Sequence, residues 1–151
     1  MAPPDHLGGN ASFDERPTLP VHAGVRTAAP LVMLVLLGVQ FLVGMAVNLY
    51  VHLPSTSATM AEMMGSGPLL MIHMMLGMML AAGAVVAVAV AVPFGRRVVT
   101  CAATALGGIF VAGLGGVLFL MDGQGNGASY LMAVGFLVAA GGYVAELVMT
   151  R

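Results

Sequence analysis

Four long apolar runs constrain the fold of this chain more than any other feature of its sequence. They cover residues 31–53, 69–92, 98–121 and 129–149, with short polar segments between them. A helix rises about 1.5 Å per residue, so roughly 20 residues cross the ~30 Å hydrocarbon core of a bilayer. Backbone polar groups find no water in lipid, and barrel strands would alternate polar and apolar residues, which these runs do not. The sequence therefore predicts an all-α polytopic membrane protein with four transmembrane helices.

The scarcity of charge supports the same class. Of the 151 residues, 60% are hydrophobic and only 7% are charged, whereas soluble domains carry about 25% charged residues. There is no lysine, and a net charge of −1 offers no basic patch for nucleic acid. A single cysteine, Cys101, excludes a disulfide within the chain and any multi-cysteine metal site. We expect the lipid bilayer to be the main partner and nucleic acid not to be one.

The first 29 residues are polar, contain proline and lack periodicity, so we expect residues 1–29 to form a disordered tail. Residues 30–151 then form a single transmembrane domain. The connections between the apolar runs are short, so consecutive helices should be antiparallel neighbours. The predicted architecture is an up-down-up-down four-helix bundle.

The arginines predict how the bundle is oriented. Arg96 and Arg97 lie between the second and third runs, Arg151 ends the chain, and the other two precede the first run. Segments 54–68 and 122–128 contain none. Because positively charged loops stay in the cytoplasm, both termini are predicted to be cytoplasmic.

Small residues recur at three- or four-residue spacing on three helices. Lipid gives helices no hydrophobic reason to associate, so close backbone approach matters more. The positions are Gly77, Ala81, Ala84 and Ala87 on the second helix, Thr104, Gly108, Ala112 and Gly116 on the third, and Gly135, Ala139 and Gly142 on the fourth. Such faces suit packing within the bundle, a homo-oligomer or a larger membrane complex.

The first helix carries a polar stripe, which is expected to face the bundle interior because polar groups do not face lipid cheaply. It consists of Gln40, Gly44, Asn48 and His52. On helical rise alone, Asn48 and the lone His73 of the second helix both lie roughly 6–8 Å inside the outer boundary. Gly77, one turn deeper than His73, leaves space below the ring. We therefore predict a small polar pocket in the outer half of the bundle.

Three interpretations of His73 are open. It is a neutral imidazole that fixes helix register through a hydrogen bond, an axial ligand of haem, or part of a copper or proton site. The copper hypothesis rests on methionines of the outer loop and on His52. They are Met60, Met63 and Met64, which surround Glu62. Methionine is also a flexible apolar packing residue, which accounts for many of the 14 in the chain.

Nothing in the sequence predicts an enzyme. It shows no Ser–His–Asp order, no glycine-rich phosphate loop and no pair of carboxylates within the apolar runs. Glu146, near the end of the fourth run, is expected to pair with Arg96, Arg97 or a neighbour. Tyr143, one turn earlier, is expected to pack between helices.

The segments "VQFLVGMAVNLYVHLP" and "LLMIHMMLGMML" resemble one half of a haem A synthase. In that family each half is a four-helix bundle, with a Q-x-x-x-G element on its first helix and a haem-binding histidine near the outer start of its second. The resemblance implies haem b held by His73, with Gln40 and Gly44 beside it. The family places a second histidine near the start of the fourth helix, where this chain reads "NGASYLMAVGF". Met132 lies at that depth and is the candidate for a second axial ligand.

The chain is also similar to small four-helix membrane proteins of unknown function from high-GC bacteria. The likeness lies in "QFLVGMAVNLYV", "HMMLGMML" and "NGASYLMAVGFLVAAGGYV". It implies a bacterial plasma membrane and supplies no activity. Our functional hypothesis is a haem-binding or redox-associated bundle. The alternatives are an accessory or assembly subunit, a dimeric small transporter, and a copper-binding membrane protein.

Overall fold

The computed structural model describes residues 21–51, 65, 67–121 and 125–149, and this part of the chain contains four long helices. They are α1 (Val21–Tyr50), α2 (Pro68–Ala91), α3 (Arg96–Met121) and α4 (Asn126–Met149). All four are long and apolar enough to cross a membrane. The predicted all-α class and the four helices of membrane-spanning length are confirmed, and these candidate spans indicate a multi-pass membrane protein. The orientation of the termini stays a prediction.

Helix α1 begins earlier than the sequence analysis expected. The sequence predicts a tail over residues 21–29, yet the helix starts at Val21 and continues through Pro30. A tertiary contact accounts for part of the difference, because the Arg26 guanidinium donates through Nη2 to the Met149 carbonyl at the end of α4, 2.9 Å away. The same guanidinium lies 5.6 Å from the centre of the Phe94 ring. Residues 1–20 of the predicted tail lie outside the described residues.

A tight turn joins α2 to α3. Val92–Phe94 form one turn of 3₁₀ helix, and Gly95 follows with φ 100°, a backbone conformation that favours glycine. The Gly95 N–H donates to the Val92 carbonyl, 3.4 Å away. The turn makes α2 and α3 adjacent and leaves Arg96 and Arg97 exposed where α3 begins.

The helices form a square bundle, in which α1 and α3 each pack against α2 and α4. Contacts run in opposite directions along each neighbouring pair, as expected for an up-down-up-down bundle. The core is apolar and includes Met33, Leu37, Leu80, Ala84, Ile109, Ala139 and Tyr143. Large apolar side chains also cover the outside, and Met78, for example, is 75% exposed. An apolar exterior of this kind suits contact with lipid.

The closest helix contact is between α3 and α4, and glycine makes it possible. A Cβ atom added to Gly108 would lie only 2.5 Å from the backbone nitrogen of Ala139. One added to Gly142 would lie 2.8 Å from the backbone nitrogen of Ala105. Real side chains do not occupy such positions, so the two backbones touch. The predicted small-residue packing is confirmed for these positions.

Thr104 is the member of the predicted α3 stripe that the structure places elsewhere. It is exposed, and its hydroxyl donates to the Thr100 carbonyl, 2.9 Å away. A strict four-residue spacing drifts around a helix with 3.6 residues per turn. The seam against α4 instead alternates steps of four and three, through Cys101, Ala105, Gly108, Ala112 and Gly115.

We predict that Gly135→Ala destabilises the bundle, whereas Gly141→Ala on the same helix does not. The Gly135 methyl would collide with the Ala112 backbone nitrogen and lie 2.6 Å from the Gly108 carbonyl oxygen. Overpacking of this kind costs about 1–3 kcal/mol. A methyl group on Gly141 would meet nothing within 4 Å. Thermal unfolding in detergent, followed by circular dichroism, measures both variants, and equal losses would contradict the proposed contact.

Candidate functional site

The main polar contact between α1 and α2 is built on a repeated pattern. On α1 Gln40 is followed four residues later by Gly44, and on α2 His73 is followed four residues later by Gly77. Residues four apart lie on the same helix face. Because the two helices are antiparallel, Gln40 lies against Gly77 and His73 lies against Gly44. We call this arrangement the Gln40–His73 contact.

Each polar side chain lies over the glycine of the other helix. A Cβ atom on Gly44 would lie 2.8 Å from Cε1 of His73, and one on Gly77 would lie 3.1 Å from Nε2 of Gln40. Both distances are shorter than ordinary contacts of a Cβ atom. The two glycines therefore provide the room in which the imidazole and the amide lie between the helices.

The hydrogen bonds assign the atoms of both side chains. Gln40 Nε2 donates to the backbone carbonyl of His73 over 3.0 Å, and it lies 3.4 Å from His73 Nε2. A carbonyl oxygen can only accept, so the Gln40 atom facing it must be the NH₂ group. His73 Nε2 then accepts from the same group. The arrangement therefore favours a neutral imidazole with its proton on Nδ1.

Two atoms of this contact are buried and have no hydrogen-bond partner among the described residues. They are Nδ1 of His73 and Oε1 of Gln40. Most buried polar atoms in proteins are paired, and an unpaired one costs about 1–3 kcal/mol. On the assignment above, Nδ1 is an open donor and Oε1 an open acceptor. The pair suits a small neutral group, or a water molecule, that both accepts and donates a hydrogen bond.

The structure brings Gln40, Gly44, Gly77 and His73 together, but two other predicted site residues lie elsewhere. Asn48 is exposed, so the prediction that it faces the interior is wrong. It is eight residues from Gln40, which places it about 80° further round a helix of 3.6 residues per turn.

Met132 packs in the α3–α4 interface rather than against His73. A Cβ atom on Gly115 would lie 2.8 Å from Met132 Cγ, and one on Gly116 would lie 3.8 Å from its sulfur. His73 packs against α1 instead. The candidate axial pair is therefore divided between two different helix interfaces.

The remaining predicted ligands are not placed. His52, Met60, Met63 and Met64 lie outside the described residues, together with Glu62. Within the described ranges, no group of three or more His, Cys, Asp and Glu side chains is arranged to hold a metal ion.

As placed, the residues around His73 do not fit a haem. Nε2 faces the Gln40 amide, Cε1 faces Gly44, and Nδ1 is buried and carries the proton in the assigned tautomer. Iron binds a ring nitrogen through its lone pair. Gln40 would have to leave Nε2 before the ring could serve as a ligand.

A second polar group lies at the other end of the bundle, and it combines Glu146 and Tyr143, which the sequence singles out, with Arg26, which it does not. Glu146 is only 4% exposed, and its Oε2 is buried without a partner among the described residues. The expected ion pair with Arg96 or Arg97 does not form, and both of these arginines are exposed. Tyr143 is fully buried, as expected for a side chain packed between helices, but within the described part of the chain its hydroxyl has no hydrogen-bond partner.

Arg26 completes this second group, which we call the Arg26–Glu146 cluster, formed by Arg26, Tyr143 and Glu146. Arg26 Nε is buried and has no partner in the ranges that the structure describes, while Nη2 donates to the Met149 carbonyl. The three-residue spacing of Tyr143 and Glu146 within an apolar run was the available sequence signal. The sequence gives no signal for the pairing of α1 with α4, because that pairing depends on tertiary packing.

An apolar core separates the two polar groups. Gln40 lies roughly four helical turns, or about 21 Å, from Arg26 along α1. The buried side chains of Met33, Leu37 and Leu80 belong to the core cluster between these levels. The described bundle therefore has two separate polar sites, one near each end.

No family model, curated protein or solved structure matches this chain significantly. The fold and contacts define its class, which is an all-α four-helix bundle with helices of membrane-spanning length.

We predict that histidine nitrogen NMR will show His73 neutral, with its proton on Nδ1. Gln40→Leu removes the donor to Nε2, so the preference for this tautomer should be lost. Asn48→Leu changes an exposed polar residue on the same helix and should leave the spectrum unchanged. A His73 resonance protonated at Nε2 in the unmodified protein would contradict the assignment.

Proposed function

We propose that this chain is a multi-pass protein of the bacterial plasma membrane that binds the polar head of a lipid-soluble ligand of the quinone class. The proposed binding site is the Gln40–His73 contact. One observation carries the proposal: a donor, Nδ1 of His73, and an acceptor, Oε1 of Gln40, are both buried and unpaired among the described residues. The redox-associated role inferred from the sequence is kept, with a different cofactor class.

The chemistry of the two open atoms favours this class of ligand. A quinone carbonyl can accept from Nδ1–H, and a quinol hydroxyl can donate to Oε1. Both side chains are neutral in the assigned arrangement, which suits an uncharged ligand in an apolar setting. Binding sites for small molecules commonly combine an apolar wall with a few polar groups that orient the ligand.

The position of the contact is also suitable. His73 lies about 8 Å along α2 from its first residue. The neighbouring Met71 and Met75 are 44% and 61% exposed. Methionine is flexible and polarizable, so it adapts to an apolar ring entering between the helices from the lipid. The apolar tail of such a ligand would remain in the bilayer.

Haem is the competing ligand at the same residues. The resemblance to one half of a haem A synthase favours it, whereas the engagement of His73 Nε2 by Gln40 does not. The two ligands differ in their spectra, so one purified sample distinguishes them.

A second candidate function is that of an accessory subunit in a larger membrane complex. One face of α3 exposes small residues toward the surroundings, including Ala103, Thr104 and Gly107. A Cβ atom on Gly107 would meet nothing within 4 Å. Small exposed residues on a membrane helix suit close packing with another helix. This function would be supported if a partner protein co-purified at fixed stoichiometry and if Gly107→Leu abolished that co-purification.

Both termini are expected to be cytoplasmic, because Arg96 and Arg97 lie at the same end of the bundle as the start of α1 and the end of α4. A fluorescent protein fused after residue 151 should fold and fluoresce in bacterial cells. Alkaline phosphatase fused after residue 66 should be active, and the same enzyme fused after Gly95 should be inactive. The opposite pattern would reverse the proposed orientation.

The ligand is tested by extracting protein purified from bacterial membranes and measuring quinones by mass spectrometry. We expect Gln40→Leu and His73→Leu each to lower the bound quinone about tenfold, because losing one buried hydrogen bond costs roughly 1–1.5 kcal/mol. Asn48→Leu, which changes an exposed residue of the same helix, should retain it.

Two results would contradict the quinone proposal. The first is equal quinone content in all four proteins, which indicates nonspecific carry-over with the detergent. The second is a haem absorption band that His73→Leu removes, which assigns the site to haem.

A further inference from the structure

We propose that Glu146 is a proton-binding site near the arginine-containing end of the bundle, with Arg26 as the counter-ion that its ionised form recruits. The proposal concerns the Arg26–Glu146 cluster, so it does not depend on what binds at the Gln40–His73 contact. Nothing in the interpretation of His73 uses Glu146 or Arg26.

The burial of Glu146 is the first observation. The side chain is 4% exposed, and Oε2 has no hydrogen-bond partner among the described residues. An ionised carboxylate buried without a partner costs several kcal/mol, so the arrangement described here fits the neutral acid. Tyr143 is its neighbour three residues earlier on α4 and is fully buried. A phenol supplies no positive charge to balance a carboxylate.

Arg26 is the second observation, because it bonds the end of the helix that carries Glu146 and is incompletely paired among the described residues. Its Nη2 donates to the carbonyl of Met149, which lies three residues after Glu146 on the same helix. The guanidinium is therefore held at the end of α4 that carries Glu146. Its Nε is buried without a partner among the described residues. Rotation of this side chain would exchange a carbonyl for a carboxylate, which accepts stronger hydrogen bonds.

The other elements offer no competing charge in the described residues. Arg96 and Arg97 of α3 are exposed, and the half-buried Cys101 of α3 has its Sγ 3.8 Å from Met149 Sδ. The last turn of α2 and the 3₁₀ turn after it carry no titratable side chain. On α1, His22 precedes Arg26 by four residues in the sequence, and its side chain lies outside the described residues. Arg151, five residues after Glu146 in the sequence, also lies outside the described residues. Among the described residues, Arg26 is thus the half-buried cation that can balance Glu146.

The proposed deprotonation of Glu146 transfers only a proton. The O–H bond of the Glu146 carboxylic acid breaks, the proton passes to water, and the carboxylate pairs with the guanidinium of Arg26. Arg26 then leaves the Met149 carbonyl, so the contact between the start of α1 and the end of α4 changes. Cys101, the single cysteine of the chain, lies beside Met149 and reports this change.

The direct test is infrared spectroscopy of the full chain in lipid vesicles over a range of pH. The C=O band of a protonated carboxylic acid, assigned as the band that Glu146→Gln removes, should be present at acidic pH and disappear as the pH rises. Arg26→Gln removes the counter-ion, so the midpoint should move at least one pH unit higher, a tenfold change in proton affinity. Arg96→Gln removes an exposed arginine at the same end and should leave the midpoint unchanged.

Three results would overturn the proposal. They are a band that persists at alkaline pH, the absence of the band at acidic pH, and the same midpoint in Arg26→Gln and Arg96→Gln. The pH titration of the unmodified protein needs no variant to fold. If Glu146→Gln does not fold, ¹³C-labelled glutamate identifies the band in the unmodified chain. As a second measurement, the rate at which maleimide labels Cys101 is divided by the rate for a free thiol at the same pH. This corrected rate should change over the same pH range as the infrared band.

Discussion

The close backbone contact between α3 and α4 is the constraint on which the rest of this bundle depends. Lipid is as apolar as leucine, so helices in a bilayer gain little from burying apolar side chains against each other. Gly108, Gly135 and Gly142 let the two backbones touch, and close approach gives van der Waals contact over the length of both helices. The resulting hairpin holds Tyr143 and Glu146 toward the interior, where α1 and α2 close the bundle over them.

The Gln40–His73 contact uses glycine in a different way. Here Gly44 and Gly77 make room for two polar side chains rather than for backbone contact. A hydrogen bond between membrane helices contributes about 0.6 kcal/mol on average and up to about 1.7. Leaving one donor and one acceptor buried and unpaired costs about 1–3 kcal/mol each. Helix pairing alone is therefore a weak explanation for this contact, and a bound group that satisfies both open atoms is a stronger one.

The separation of the two polar sites bears on the functional alternatives. A transporter needs polar groups that line a path between the two sides of the membrane. In the described bundle the interior between the Gln40–His73 contact and the Arg26–Glu146 cluster is filled by side chains such as Leu37 and Leu80. A quinone-class site at one end and a proton site at the other are separate proposals, and they need no polar connection through this core.

The sequence by itself determined the four apolar helices, the small-residue seam of α4, and the shared face of Gln40 and Gly44, because hydropathy and helical spacing are properties of each helix alone. Of the α3 seam it determined Gly108 and Ala112. Only the tertiary structure decided how the helices are rotated and extended. Because of that packing, Gln40 donates a hydrogen bond to the backbone carbonyl of His73, and Asn48 is exposed. Helix α1 also begins earlier, at Val21. The packing also leaves Oε2 of Glu146 without a hydrogen-bond partner among the described residues. A one-dimensional pattern specifies which residues share a face, whereas contacts between residues far apart in the chain specify what that face meets.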